Sequence, residues 1–290
     1  MSRSAIRSST ARCWSRSAAG RQQEIEVAGT NATKYRISNG AAWITLNRPE
    51  NRNALSAVLV AEMYDHLIAA NADANVRSIV ITGTGPAFCA GADLKSPPGE
   101  VIEGGRSVPY PLVLTAIIDS PKPIIAAVNG AAFAGGLGLV GAADIVVAAE
   151  AAQFSFSEVR IGVIPAVISV VCLPKLGVHH GMKLMLTGER FDGKRAVAMG
   201  LAHRAVPLDQ LVSAVNEEID MINLGGPIAV VECKKLVRRV PTLSIEAGFE
   251  ETAQWSTRMF RSDEASEGMA AFREKRKPSW ITNVQKGGQT

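Results

Sequence analysis

Apolar and polar residues along this chain follow two periods. Tyr35-Arg-Ile-Ser38 and Ala42-Trp-Ile-Thr-Leu46 alternate about Asn39-Gly40, and alternation around Asn-Gly is the strongest short-range signal of a β-hairpin. Asn53-Ala-Leu-Ser56 opens a helical run to about Ala70, with Leu55, Leu59, Met63, Leu67 and Ala70 on one face. Residues 77–82 (Arg-Ser-Ile-Val-Ile-Thr) read as a buried strand ended by Gly83, followed by a Gly- and Pro-rich loop over 83–105. The pattern then predicts a helix over 111–119, a strand over 123–128, a Gly-rich helix, and a strand over 144–148. Further helices are expected over 181–187, 193–199, 208–222, 227–240, 244–260 and 263–277. Repeated strand–helix alternation implies an α/β layered fold with a helical C-terminal region. No short internal repeat and no linker between independent domains is visible, and folding is expected to begin near Lys34.

Composition narrows the function classes. The chain has 290 residues, 47% hydrophobic and 20% charged, which is globular usage with ample material for a core. Its formal charge of +4 is unevenly placed, for residues 1–23 hold five arginines (Arg3, Arg7, Arg12, Arg16, Arg21) and no acid precedes Glu24. Removing those five from 31 leaves 26 basic against 27 acidic residues, so the body gives no support to nucleic-acid binding. The Arg- and Ser-rich, acid-poor start fits a transit peptide. A disordered bacterial extension, or a start codon placed too far upstream, fits it too.

Cys13, Cys89, Cys172 and Cys233 are far apart without a CxxC pair, and the four histidines lack HxxxH spacing. Neither a disulfide framework nor a zinc site is expected. Residues 123–143 carry no charge over 21 positions, long enough to span a bilayer. Five Gly and seven Ala within 124–143, with Asn129, make the stretch too weakly hydrophobic, and no membrane span is expected.

Candidate chemistry concentrates in 88–165. Phe88-Cys-Ala-Gly-Ala-Asp-Leu-Lys95 follows a strand, and Asn129-Gly-Ala-Ala-Phe-Ala-Gly-Gly-Leu-Gly-Leu139 passes from strand to helix. Small residues let a ligand approach the backbone, and a helix N-terminus offers unpaired N–H groups. Two N–H groups from separate loops converging on one oxygen would make an oxyanion hole. Glu158 lies in an apolar neighbourhood, where desolvation raises a carboxyl toward proton-transfer usefulness. The local pattern equally describes a surface carboxylate paired with Arg160 or solvent. Gly136-Leu-Gly138-Leu-Val-Gly141 matches GxGxxG, with Glu158 twenty residues beyond Gly138. Only Ala142 and Ala143 separate those glycines from the next strand, which leaves no crossover helix for a dinucleotide fold. There is no GxSxG elbow for a serine hydrolase.

Taken in order, several motifs resemble the enoyl-CoA hydratase/isomerase (crotonase) superfamily, with a look closest to actinobacterial enoyl-CoA hydratases. They are Leu46-Asn-Arg-Pro-Glu-Asn-Arg-Asn-Ala-Leu55, Gly83-Thr-Gly-Pro-Ala-Phe-Cys-Ala-Gly-Ala-Asp-Leu94, Pro121-Lys-Pro-Ile-Ile-Ala-Ala-Val-Asn-Gly130, Leu186-Thr-Gly-Glu189 and Ala198-Met-Gly-Leu201. The resemblance implies a spiral of ββα units over 34–205 and a helical trimerisation region over 206–280. A leader (1–33) and a tail (281–290) flank them. It also implies a homotrimer or hexamer, an acyl-CoA substrate, and no cofactor beyond the coenzyme A that enters with that substrate. A bacterial cytoplasm is expected, or a mitochondrial matrix if the leader is an address. Carried over by position, the N–H groups of Ala92 and Gly135 would hold the thioester oxygen and Glu158 would move the proton. Ala92, Asp93, Leu94 and Lys95 would line the CoA nucleotide, with Phe272 and Lys275 helping from the terminal helix. Ile164, Val167, Ile168 and the 96–108 loop would wall the acyl pocket. One position departs: two-glutamate hydratases carry an acid three residues after the oxyanion glycine, where this chain has Gly138. The expected reaction is hydration of a 2-enoyl-CoA. A single-glutamate double-bond isomerase, or a weakly catalytic acyl-CoA binder, is the alternative.

Overall fold

The computed structural model describes residues 31–281. The Arg-rich 1–23 segment with Cys13, and all but the first residue of the expected tail, lie outside them. The expected hairpin is β1 (Thr33–Ser38) and β2 (Ala41–Leu46), turned by Asn39 and Gly40, both at positive φ. Next comes α1 (Ala57–Ala72), whose N-cap Ser56 Oγ accepts from Leu59 N–H at 3.2 Å.

The chain then repeats one path three times: a strand in a large sheet, a short strand in a second sheet, and a helix. The turns are β3 (Ser78–Gly83), β4 (Ala87–Cys89), α2 (Tyr110–Ile118); β5 (Ile124–Val128), β6 (Ala131–Phe133), α3 (Gly135–Ala142); and β7 (Ile145–Ala149), β8 (Gln153–Ser155), α4 (Ala166–Thr187). After these come β9 (Phe191–Asp192), α5 (Gly193–Ala198) and β10 (Arg204–Val206), then α6 (Leu211–Leu224), α7 (Pro227–Arg239), α8 (Ile245–Phe260) and α9 (Asp263–Arg273).

Six strands form the large sheet in the order β1-β2-β3-β5-β7-β10, parallel apart from the hairpin. One face puts Ile44, Ile79 and Ile81 into the main core. The other packs Trp43, Val80, Ile125 and Val147 against Leu211, Ala214, Val215 and Ile219 of α6. Cover on both faces explains why these strands read as continuous apolar runs. The second sheet, β4-β6-β8-β9, has its first three strands parallel.

Several expectations change. The supposed loop over 83–105 contains β4, and β6, β8, β9 and β10 were not expected at all. Strands of two or three residues are too short to show alternation. The helix expected over 181–187 starts fifteen residues earlier as α4, kinked where Gly177 takes φ 66°; Pro174 and Gly177 conceal it as breakers. The last helix stops at Arg273, and Lys275 turns away at φ 55°. Among the described residues no helix is long and apolar enough to cross a membrane.

Candidate active site

The second sheet brings the candidate residues together. Because β4, β6 and β8 run parallel and adjacent, their carboxyl ends open on one edge. The chain leaves β4 into Gly91-Ala92, β6 into Ala134-Gly135, and β8 into the 3₁₀ turn Ser157–Ile161 that carries Glu158. Sites built at the carboxyl ends of parallel strands draw on several loops at once.

Residues 89–93 run beside the segment before α1. Leu55 N–H donates to Gly91 O at 2.7 Å, and Asp93 N–H donates to Leu55 O at 3.0 Å. In such a parallel bridge the intervening residue faces the other way, so the Ala92 N–H points outward, donating to none of the described residues. Asn53 fixes the segment from beneath. It is fully buried, its Oδ1 accepts from Arg48 N–H at 2.8 Å, and its Nδ2 donates to Thr84 O and Ala87 O at 2.9 and 2.8 Å.

Gly135 opens α3, so its N–H is one of the helix's free donors; it too donates to none of the described residues. A Cβ built on Gly135 would lie 3.6 Å from Ala92 N and 2.9 Å from Leu55 Cδ1. The two N–H groups therefore belong to neighbouring peptides. Ala134, just before, takes φ 47° and ψ −120°, a conformation costing a non-glycine residue about 1–3 kcal/mol. Ala134 N–H is bonded to Ser155 O at 3.0 Å, which holds this turn against β8. Gly91, at φ 100°, lets the two loops meet, for a Cβ there would come within 2.9 Å of Ala134 Cβ.

Glu158 is half-buried, and its Oε2 is enclosed without a partner. Burial pushes its pKa above the ordinary carboxylate range, against a smaller pull from its own backbone N–H. Arg160 does not pair with it: that guanidinium donates instead to Thr187 O at 3.4 Å. The surface ion-pair reading is thereby set aside. Cys172 of α4 lies within electrostatic range of Glu158, and desolvation pushes that buried thiol up to about 12, leaving it inert.

In the rest of the 92–95 loop Asp93 is buried, whereas Leu94 and Lys95 are exposed. Asp93 is held by Arg48 Nη1 at 3.0 Å and by Lys95 N–H at 3.1 Å. Burial works to raise the Asp93 carboxyl, but these two donors outweigh it and hold it below the usual range. Leu94 is 80% exposed and Lys95 is exposed. Phe272 (86% exposed) and the exposed Lys275 sit at the end of α9, with no bond to this loop among the described residues.

Gly138 is packed rather than open. A Cβ there would meet Ile168 Cγ2 at 2.7 Å and the Tyr110 hydroxyl at 2.7 Å. No side chain enters at 138 while those two stand. GxGxxG falls inside α3, with Gly136, Gly138 and Gly141 all buried in the helix. It forms no phosphate-binding turn. The sequence reading missed Tyr110, Arg48, Asn53 and the strained Ala134. Its one available signal was the run of small residues at 134–138, which requires a large side chain from elsewhere to fill the space.

A pair of free peptide donors beside a desolvated carboxylate, on a spiral of ββα turns, is a site for stabilising negative charge on a carbonyl oxygen while a proton moves. The chain belongs to the enoyl-CoA hydratase/isomerase family, whose model matches residues 36–283, and its fold is the crotonase fold with C-terminal helices. It is 35% identical over 244 residues to carnitinyl-CoA dehydratase of Proteus mirabilis, covering 82% of this chain and 93% of that protein. Enoyl-CoA hydratase EchA19 of Mycobacterium tuberculosis is 35% identical over 245 residues, covering 82% and 91%. The crystal structure of an enoyl-CoA hydratase from Shewanella pealeana superposes with a TM-score of 0.79 at 30% identity, covering 86% of this chain and 96% of that one. Pseudomonas aeruginosa AtuE gives 0.79 at 32%, covering 87% and 100%.

Proposed function

We propose that this enzyme adds water reversibly across the double bond of a 2-enoyl-CoA thioester. The observation that carries the reading is the pair of unpaired N–H groups on neighbouring peptides, Ala92 and Gly135, at the same sheet edge as the partnerless carboxylate of Glu158. The thioester oxygen accepts from both N–H groups. Glu158 takes a proton from water as its oxygen bonds to C3, and electron density moves through C2 onto the held oxygen as an enolate. The same carboxyl then delivers the proton to C2. Water is thus divided between C3 and C2, and the thioester to coenzyme A stays intact.

Asp93, Leu94 and Lys95 continue from Ala92 along the proposed nucleotide path, and Arg48 adds a cation beside Asp93. Phe272 and Lys275, both exposed, help from the end of α9. The names of the relatives, hydratase and dehydratase, describe the two directions of one reaction and support the reading. The filled space at Gly138 favours a second reading, in which one carboxylate shifts a double bond without adding water. Incubation with 2-enoyl-CoA esters of several chain lengths decides between them. Loss of the conjugated-thioester absorbance is expected. No loss, together with conversion of a 3-enoyl ester, establishes the isomerase instead. Binding of CoA esters with neither reaction leaves a binding protein.

The exposed apolar faces of α7, α8 and α9 support assembly into a homotrimer or hexamer, which we propose as the working form.

A further inference from the structure

Tyr110 is the first residue of α2, and its ring lies in the main core. Its hydroxyl does not end among apolar atoms. It donates to the carbonyl of Gly135 at 2.5 Å. That carbonyl belongs to the first turn of α3, so a side chain from another helix bonds an acceptor of the helical ladder. Side chains inserted at such a ladder position set the local geometry of a helix. A buried hydroxyl is costly unless bonded, and here its proton goes to that carbonyl.

This insertion requires Gly138. A Cβ at that position would stand 2.7 Å from the Tyr110 hydroxyl oxygen and 3.3 Å from Cε1. Gly138 and Tyr110 are therefore complementary: where the two-acid pattern has a carboxylate, this chain has a tyrosine from another helix. The residue held by the hydroxyl is the one whose N–H faces the site. Gly135 is already confined on its other sides by Leu55 Cδ1 and by the Ala92 peptide.

We propose that Tyr110 is a positioning residue for the oxyanion hole. Its hydroxyl, set into the first turn of α3 opposite Gly138, fixes Gly135 so that its N–H converges with that of Ala92. The proposal rests on the reading of these two N–H groups as thioester donors. It assigns the tyrosine no contact with substrate. Without the hydroxyl, the Gly135 carbonyl loses this anchor, and Gly135 is free to turn. Displacements well under 1 Å at a reacting centre are enough to cost rate.

The test compares the full-length enzyme with Tyr110→Phe, using butanoyl-CoA labelled with ¹³C at its thioester carbonyl as a non-reacting probe. On binding to the wild type, the infrared carbonyl stretch is expected to move to lower frequency. In Tyr110→Phe the movement is expected to be smaller. With a 2-enoyl-CoA, kcat is expected to fall by about tenfold with KM changed by less than about twofold, the mark of an interaction expressed in the transition state. A wild-type carbonyl shift in Tyr110→Phe overturns the proposal, even if the melting temperature falls, because the tyrosine is then structural only. No carbonyl shift in the wild type overturns the oxyanion reading and this proposal with it. Should Tyr110→Phe fail to fold, Gly138→Ala crowds the same hydroxyl. A reduced carbonyl shift is expected there, and an unchanged one overturns the proposal.

Discussion

At Glu158 the ionised form that a base requires is the form the fold disfavours, because burial raises the carboxyl and Oε2 has no donor to satisfy it. The folded pKa lies above the unfolded one, so between the two values the native state binds more protons and stability falls as pH rises. Above the folded pKa the penalty is fully present. Glu158→Gln is therefore expected to lower turnover by about 10²–10⁴-fold while leaving the melting temperature at pH 7 equal to or above that of the wild type. Turnover and a thermal melt on the same preparation check both halves. The shift also places the acid limb of kcat/KM above the ordinary carboxylate range, since only the ionised carboxylate accepts a proton from water. Its measured midpoint should vanish from the residual activity of the Gln variant. An acid limb at ordinary carboxylate pH would remove Glu158 from the role.

Helix α3 joins two tasks eight residues long: its first turn presents a donor, and its last turn must be satisfied inside the protein. Lys175 from α4 serves the far end, donating through Nζ to Val140 O at 3.2 Å and Ala143 O at 2.6 Å, where a cation also complements the helix dipole. Desolvation lowers this lysine to about 8, below an unfolded value of about 10.4. Between those values the unfolded chain binds more protons, so stability rises with pH. Denaturant midpoints across pH 8–10 should climb in the wild type relative to Lys175→Met, which lacks this titration. The near side of α3 depends on Gly136, where a Cβ would overlap the Cys89 carbonyl at the end of β4. Gly136→Ala should destabilise the fold by about 1–3 kcal/mol and reduce turnover further than the stability loss accounts for, because α3 is pushed off the hole. Chemical denaturation beside steady-state kinetics separates the two effects. Such packing explains what the sequence disclosed and what it hid. The hairpin, α1, β3, β5 and β7 carry their own periodicity and were legible. The three-residue strands that aim the site have no period to show. Ala92, Gly135 and Glu158 are proposed from the family resemblance of their motifs, whereas Tyr110 reaches α3 from another turn of the spiral.

Across the whole molecule, burial is uneven. The spiral encloses its core, yet α7 and α8 bury no residue of their own, and Phe249 of α8 is 75% exposed. Helices of this kind are stable only when an apolar face is covered, which is why assembly belongs to the proposed working form. Sedimentation velocity is expected to give three or six copies of the chain. Phe249→Asp should shift that distribution toward monomer and lower the melting temperature. A wild type that sediments as a monomer at micromolar concentration would refute the assembly.

The proposed oxyanion hole consists of peptide N–H groups, and the genetic code specifies side chains. No codon change at 92 or 135, other than to proline, deletes a donor outright; substitutions act by moving the peptide that carries it. Selection on this chemistry therefore falls on fillers and spacers, such as Gly91, Gly136, Gly138 and Leu55, rather than on the donors. Ile164, Val167 and the 96–108 segment, proposed as walls of the acyl pocket, carry no such duty. Replacing the 92 or 135 amide with an ester by chemical ligation is the substitution that evolution lacks, and it reads the worth of each donor with every side chain intact.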